Sequence, residues 1–178
     1  MPSPQIPALV AMSELVSAQR RIMHARATLD SVACTIPTYA RAFDLVYDAI
    51  EVLGPLLDDA ADYAASLADL FNALLPPAAP AEGSLGWLLA EAEGHLEDLA
   101  LLAEDLIHEG DRLAVRSEAA LESASRSAYS SHGSVRHIDE IKAALADLLA
   151  AADEATRATN VAVFAGDRVL VTCDPRSD

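Results

Sequence analysis

The sequence predicts a mainly α-helical fold, an antiparallel bundle of four to five helices that ends in a C-terminal β-hairpin. The 178-residue chain is rich in Ala, Leu, Asp and Glu and has only 4% aromatic residues, a composition that favours helices. Its apolar residues recur at intervals of three and four over long stretches, as they do on one side of an amphipathic helix. Only near the C-terminus does the pattern change, to β-branched runs on either side of Gly166-Asp167.

The first 75 residues contain a leader and two helical segments. Residues 1–8 hold three prolines and are expected to form a flexible leader. One helix is predicted at about 8–33 and a second at about 38–75, with a break at Thr35-Ile36-Pro37 between them. Gly54-Pro55 lies in the middle of the second segment. Since proline inside a helix costs about 3 kcal/mol, we expect either a sharp kink or two shorter helices there.

The middle of the chain predicts a linker and two further helices. Residues 76–83 contain three prolines and a glycine, and they form the linker. Ser84 is expected to cap a third helix at about 85–128, whose continuity past Gly94 and Gly110 the sequence leaves open. Ser134 is expected to cap a fourth helix. The bundle is therefore assigned to 9–159.

The C-terminal segment predicts a hairpin at 160–174. Two β-branched runs flank a two-residue Gly-Asp loop, which is a specific hairpin signal. A lone two-stranded hairpin is marginally stable in water. We therefore expect it to pack on the bundle, to add to a partner's sheet, or to form a homodimer. The residues predicted for self-association are Val163, Phe164, Val169 and Val171.

The charge distribution is the most informative feature for function. Between Ala42 and Asp111 the chain carries sixteen Asp and Glu residues and no Lys or Arg, while the remaining residues carry twelve of each sign. This stretch, the acidic window, therefore accounts for the whole formal charge of −16. Such a field repels nucleic acid and anionic lipid and attracts basic proteins. We expect a basic protein partner and no direct binding to nucleic acid or membrane.

The spacing of the acids in the window suggests a face. On each of the two predicted helices they recur at intervals of three, four and seven, opposite the apolar stripe. The predicted partner-binding face consists of Asp44, Asp48, Glu51, Asp58, Asp62, Asp69, Glu91, Glu97, Asp98, Glu104 and Asp105. Three interpretations stay open: a docking face for a basic partner, an ordinary solvated face, and a decoy that mimics nucleic acid and inhibits a DNA- or RNA-binding protein.

Signals for catalysis are weak. Asp105 and His108 are three residues apart, as in one half of a di-iron helix pair, but a second such pair is missing. A metal-dependent helical enzyme using these two residues is the enzymatic alternative. Cys34 has no histidine that can be placed beside it, and the surroundings of His24 and His95 do not fit a phosphotransfer module. We therefore expect no enzyme, no catalytic residue, no metal and no cofactor.

The location of the protein follows from what the sequence does not contain. The N-terminal residues lack the basic start and apolar run of a signal peptide. No stretch of about 18 uncharged apolar residues is present. The two cysteines, Cys34 and Cys173, are far apart and fit no disulfide framework. A soluble, cytoplasmic protein is expected.

Overall fold

The chain folds into a bundle of four long helices. The computed structural model describes residues 5–75, 80–81, 83–131 and 135–173. Over these residues the elements are α1 (Gln5–Thr35), a 3₁₀ turn (Pro37–Tyr39), α2 (Ala40–Leu74), α3 (Leu85–Ser131) and α4 (Val135–Cys173). Each helix packs against its neighbours in sequence, and α1 packs against α4 to close the ring. The predicted helical bundle is therefore confirmed.

Contacts between consecutive helices show that they run in opposite directions. Gln19 of α1 contacts Asp58 of α2, whereas Arg26, further along α1, contacts Glu51, which lies earlier in α2. The same inverse order relates α2 to α3, where Tyr63 lies beside His95 and the Leu45 carbonyl beside Arg116.

The core follows a seven-residue repeat on every helix. Buried positions alternate at intervals of three and four, the pattern of coiled-coil packing. On α2, for example, the buried residues include Phe43, Val46, Ile50, Leu53, Leu57, Ala60, Ala64, Leu67, Phe71 and Leu74. An ideal α-helix has 3.6 residues per turn, so a sustained repeat of 3.5 predicts a left-handed supercoil of the bundle. Residues seven apart consequently line up in rows along each helix.

Small residues dominate the contact between α1 and α4. On α1 the buried positions alternate between alanine and larger residues, as in Ala11, Leu15, Ala18 and Ile22. On α4 the middle of the buried stripe consists mainly of alanine. Small side chains let helix backbones approach closely, which explains how a chain with few aromatic residues fills its core.

The predicted hairpin at 160–174 is wrong. The segment belongs to α4, which continues without a break to Cys173, and no strand occurs in the part of the chain that the structure describes. The β-branched residues fall on the heptad pattern, because Ala158, Ala162 and Val169 are buried at helical spacing. The bundle therefore extends beyond the predicted end at residue 159.

Gly166 is the residue that explains the wrong prediction. It is buried in the α3–α4 contact, where a Cβ atom would overlap the Leu96 side chain. The glycine therefore serves close helix packing, and not a turn. Asp167 beside it is exposed, as expected for the outer side of a helix.

Two questions that the sequence left open concern helix continuity. α2 is a single helix with Pro55 inside it, so the alternative of two shorter helices is excluded. Proline has no backbone N–H, so Pro55 cannot donate the helical hydrogen bond to the Glu51 carbonyl. Both residues are exposed, so this carbonyl lies on the solvent side of α2. α3 is likewise one helix of 47 residues, about 70 Å long at 1.5 Å per residue.

The remaining boundaries differ modestly from expectation. α1 begins at Gln5, so residues 5–8 are helical although they were predicted as part of the leader; residues 1–4 lie outside the described ranges. α3 begins directly after Ser84, as predicted, and the Ser84 hydroxyl donates to the Ala81 carbonyl. Gly83 before it has a φ of 91°, which favours glycine. Most of the linker and Ser134 also lie outside the described residues.

In the portion described, no helix is both long and apolar enough to cross a membrane.

Candidate interaction surface

All eleven carboxylates of the predicted partner-binding face lie at the surface. Each is exposed, because it lies at a heptad position on the side of its helix that faces away from the bundle core. A partner could therefore reach every one of them. The structure does not, however, gather them on one face.

The carboxylates of α2 form two rows that point in different directions. One row turns towards α1, where Gln19 Nε2 donates to Asp58 Oδ1 at 2.6 Å and Arg26 Nη2 lies 3.4 Å from Glu51 Oε1. The other row occupies the outermost position of the helix. The row towards α1 consists of Asp44, Glu51 and Asp58, and the outermost row of Asp48, Asp62 and Asp69.

The carboxylates of α3 also form two rows, one on each side of the outermost position. The α2-side acidic row consists of Glu91, Asp98 and Asp105, and the α4-side acidic row of Glu97, Glu104, Asp111 and Glu118. Asp98 lies close enough to Tyr63 of α2 to raise the pKa of its hydroxyl. Asp111 lines a shallow groove of about 260 Å³ between α3 and α4. The groove stays open because Gly110 has no side chain and Ala114 and Ala152 have only a methyl group.

The seam between α2 and α3 brings together polar groups that the sequence did not connect. The ring centroids of Tyr63 and His95 are 5.4 Å apart. The negative charge of Asp98 is the main reason that the pKa of Tyr63 is raised, followed by desolvation, the hydrogen bond to Asp98 and the charge of Asp59. Tyr63 is therefore held in its neutral form, in which its hydroxyl donates a hydrogen bond to the Asp98 carboxylate.

Most of the described acids of the window have no basic partner in the part of the chain that the structure describes. Fifteen of its sixteen carboxylates lie in the described residues, and only two of them form an ion pair: Glu51 with Arg26 and Glu109 with Arg112. Outside the window, five of the ten described carboxylates are paired, namely Glu122, Glu140, Asp147, Asp153 and Glu154. The fold therefore does not bring bases from elsewhere to neutralise the window.

The basic cluster of α1 shows this most clearly. Arg20, Arg21 and Arg26 lie close together on α1 and could pair with the acidic window. Only Arg26 does so, through Glu51, and it also lies over the Tyr47 ring at 5.4 Å. Arg21 instead bridges Asp147 and Glu154 of α4.

The candidate catalytic groups do not assemble into a site. His108 and Asp105 are both exposed, and the described residues contain no group of three or more His, Cys, Asp or Glu side chains that could hold a metal ion. Cys34 is exposed, Cys173 is half-buried, and neither forms a disulfide.

The residues predicted for self-association are divided by the helical structure of α4. Val169 is buried in the core and Val163 is half-buried. Phe164 and Val171 are both 67% exposed on the outer side of the helix. Without the hairpin they form no strand edge, so the proposed route to a homodimer is lost.

Sequence reasoning missed an outer apolar row on α3. It consists of Trp87, Leu101, Val115 and Tyr129, which are 61%, 62%, 69% and 91% exposed. They occupy one heptad position at intervals of fourteen residues and alternate there with Gly94, His108 and Glu122. The sequence contains this signal as a fourteen-residue repeat of large apolar residues, which precede core positions of the heptad by two residues. Apolar periodicity alone does not distinguish an exposed row from a core stripe.

The chain matches no protein-family model, no curated protein and no solved structure.

Proposed function

We propose that this chain is a non-enzymatic, cytoplasmic helical protein that acts by protein–protein interaction, and that the acidic window docks a basic partner. The observation that supports this function is the difference in pairing: two of fifteen described carboxylates in the window have a basic partner, against five of ten outside it. Like charges at helical spacing disfavour a helix, so the stability of the fold gives no reason to keep bases out of the window.

The window would act mainly on encounter and orientation. A field of one sign speeds the approach of an oppositely charged protein and fixes the side from which it docks. Each exposed charge pair contributes little affinity on its own, so the lasting contact requires apolar residues as well. Binding through the window should therefore weaken strongly as salt screens the charges.

The arrangement of the rows favours protein docking over mimicry of nucleic acid. A decoy needs closely spaced charges along a common surface, since duplex DNA carries one charge per roughly 1.7 Å of axis. Here one acidic row of α2 turns towards α1 and is partly paired there, so the acids are spread around the bundle. Competition between this protein and DNA for the same partner would favour the decoy interpretation.

Two variants with equal charge test the proposal. The window variant carries Asp48→Asn, Asp62→Asn, Glu97→Gln and Glu104→Gln. The outside variant carries Glu14→Gln, Asp30→Asn, Asp139→Asn and Asp167→Asn. None of the eight carboxylates forms an ion pair with another residue that the structure describes, and both variants lose four negative charges.

The experiment is affinity capture from lysate of the source organism, followed by elution in steps of increasing salt. We expect the wild type and the outside variant to retain the same basic proteins and release them at moderate salt, and the window variant to retain much less. Equal retention by the two variants would mean that binding follows net charge alone and would contradict the proposal. Release of the captured proteins by added duplex DNA would favour the decoy.

A further inference from the structure

The outward face of α3 combines an apolar row with acidic rows on both sides. In a heptad repeat the two positions that flank the outermost one lie about 50° to either side of it. From Trp87 to Leu101 the outer apolar row therefore lies between the α2-side acidic row and the α4-side acidic row. Near Val115 only the α4-side acidic row flanks it, because Arg112 follows Asp105 at the α2-side position. Trp87, Leu101 and Val115 are each more than half exposed, although α3 already buries a separate core stripe through Ala92, Leu96 and Leu99.

We infer that this face is the docking site for a basic amphipathic helix of the partner, which would lie along α3. The inference rests on the proposed function and specifies its partner. An amphipathic helix presents an apolar stripe flanked by polar residues. Apolar residues on such a helix would cover the outer apolar row, and Lys or Arg residues beside them would meet the two acidic rows. The acids of those rows are exposed and form no ion pair with a residue of the described chain.

The α4-side acidic row, which contains no base, disfavours a second copy of α3 as the occupant. In an antiparallel pair, the α4-side acidic row would face its own copy, with only Glu and Asp on both sides. In a parallel pair, the α4-side acidic row would face the α2-side acidic row, and acids would again meet acids. Like charges placed opposite one another at an interface are strongly unfavourable, so a basic occupant fits this face better than a second copy of α3.

Trp87 provides a direct probe of this face. It is the single tryptophan of the chain, it belongs to the outer apolar row, and it is 61% exposed. A helix that covers the row should shift its fluorescence to shorter wavelength and protect it from a soluble quencher. A probe helix of about 28 residues reaches roughly 42 Å at 1.5 Å per residue, the span from Trp87 to Val115.

The test uses two synthetic peptides of that length with the same composition of Leu, Lys and Ala and no tryptophan. One places leucine at intervals of three and four, and the other is scrambled so that it has no apolar face. We expect the full-length protein to bind the amphipathic peptide about tenfold more tightly, equivalent to 1.4 kcal/mol, with a blue shift of Trp87. The double variant Leu101→Ser/Val115→Ser should lose this preference, whereas Phe164→Ser/Val171→Ser on α4 should keep it.

The outcomes separate this inference from the proposed function. Equal, salt-sensitive binding of both peptides would overturn the apolar docking face and leave charge-driven binding by the window intact. Loss of the preference in both double variants would also overturn it, since the effect would not belong to α3. No binding of either peptide at low salt would overturn the inference and the proposed function together. All four substituted side chains are at least 62% exposed, and circular dichroism will verify that the variants stay folded.

Discussion

At the scale of single residues, Gly166 shows how packing can override a local signal. Gly-Asp between β-branched runs is a strong indicator of a hairpin when only the neighbouring residues are considered. In the bundle the same glycine faces Leu96, and its lack of a side chain allows α4 to approach α3. Tertiary contact, which the local sequence does not contain, decides the structure of this segment.

We predict that Gly166→Ala leaves the protein less stable than Gly94→Ala does, by about 1–3 kcal/mol, because Leu96 must move away from the new methyl group. Gly94→Ala is the matched control. Gly94 is exposed inside α3 with nothing within 4 Å of a Cβ atom, so it should gain about 0.5–1 kcal/mol from the higher helix propensity of alanine. Urea denaturation gives both values. Equal stabilisation by the two substitutions would show that Gly166 is not packed against α3.

The raised pKa of Tyr47 predicts that the protein loses stability at alkaline pH. Burial raises its pKa above the ordinary value of 10.0, and the nearby carboxylate of Asp30 acts in the same direction. The folded state therefore holds the phenol proton more tightly than the unfolded state. This stabilisation is complete below about pH 10 and is lost as the pH rises further. Denaturation at pH 9 and pH 11 should show a smaller loss for Tyr47→Phe than for the wild type; identical losses would contradict the effect.

At the scale of helices, the seven-residue repeat accounts for the fold. The sequence predicted helices at about 8–33, 38–75 and 85–128, close to the observed α1, α2 and α3, because each apolar stripe is long and regular. It failed at the C-terminus, where valines lie both in the core and on the outside of α4. Alternation of apolar residues there resembled a strand, and only the partner helix shows which valines are buried.

Pro55 is the largest local defect in this regularity. It lies inside α2 and leaves the Glu51 carbonyl without its helical hydrogen bond. We predict that Pro55→Ala raises the free energy of unfolding by about 1–3 kcal/mol, the cost of proline in a helix less the entropy that proline removes from the unfolded chain. Pro37→Ala is the control, since Pro37 begins the 3₁₀ turn, where proline is favoured. No gain at Pro55 relative to Pro37 would contradict this account.

At the scale of the whole molecule, charge and packing act against each other. The core stabilises the ring of helices, while a formal charge of −16, with few acids of the window paired, destabilises it through self-repulsion. The acidic window therefore lowers the stability of the fold, and this is the reason to propose that it serves binding.

Salt should consequently stabilise the isolated protein. Raising NaCl from roughly 0.01 M to 0.5 M shortens the Debye length from about 30 Å to below 8 Å and screens the repulsion. We predict that Tm rises over this range, and that the rise is smaller for the window variant than for the outside variant because more of the repulsion lies in the window. A Tm that does not change with salt would show that the charges are too dispersed to interact.

The candidate surface was predictable only in part. Exposure of the eleven carboxylates followed from their positions opposite the apolar stripe. Which neighbour each row faces depends on the order of helices in the ring, so the sequence could not show that Glu51 and Asp58 turn towards α1. The outer apolar row was visible as a fourteen-residue spacing, but its exposure becomes clear only when the core of α3 is known.

The most direct test of the central claim is to map which carboxylates a captured basic partner covers. Exposed carboxyl groups can be labelled with a carbodiimide and an amine, with and without the partner, and the extent of labelling at each residue measured by mass spectrometry. We predict protection of the two acidic rows of α3, and unchanged labelling of Glu14, Asp139 and Asp167. Protection of Glu14, Asp139 or Asp167, or the same labelling with and without the partner, would contradict the account.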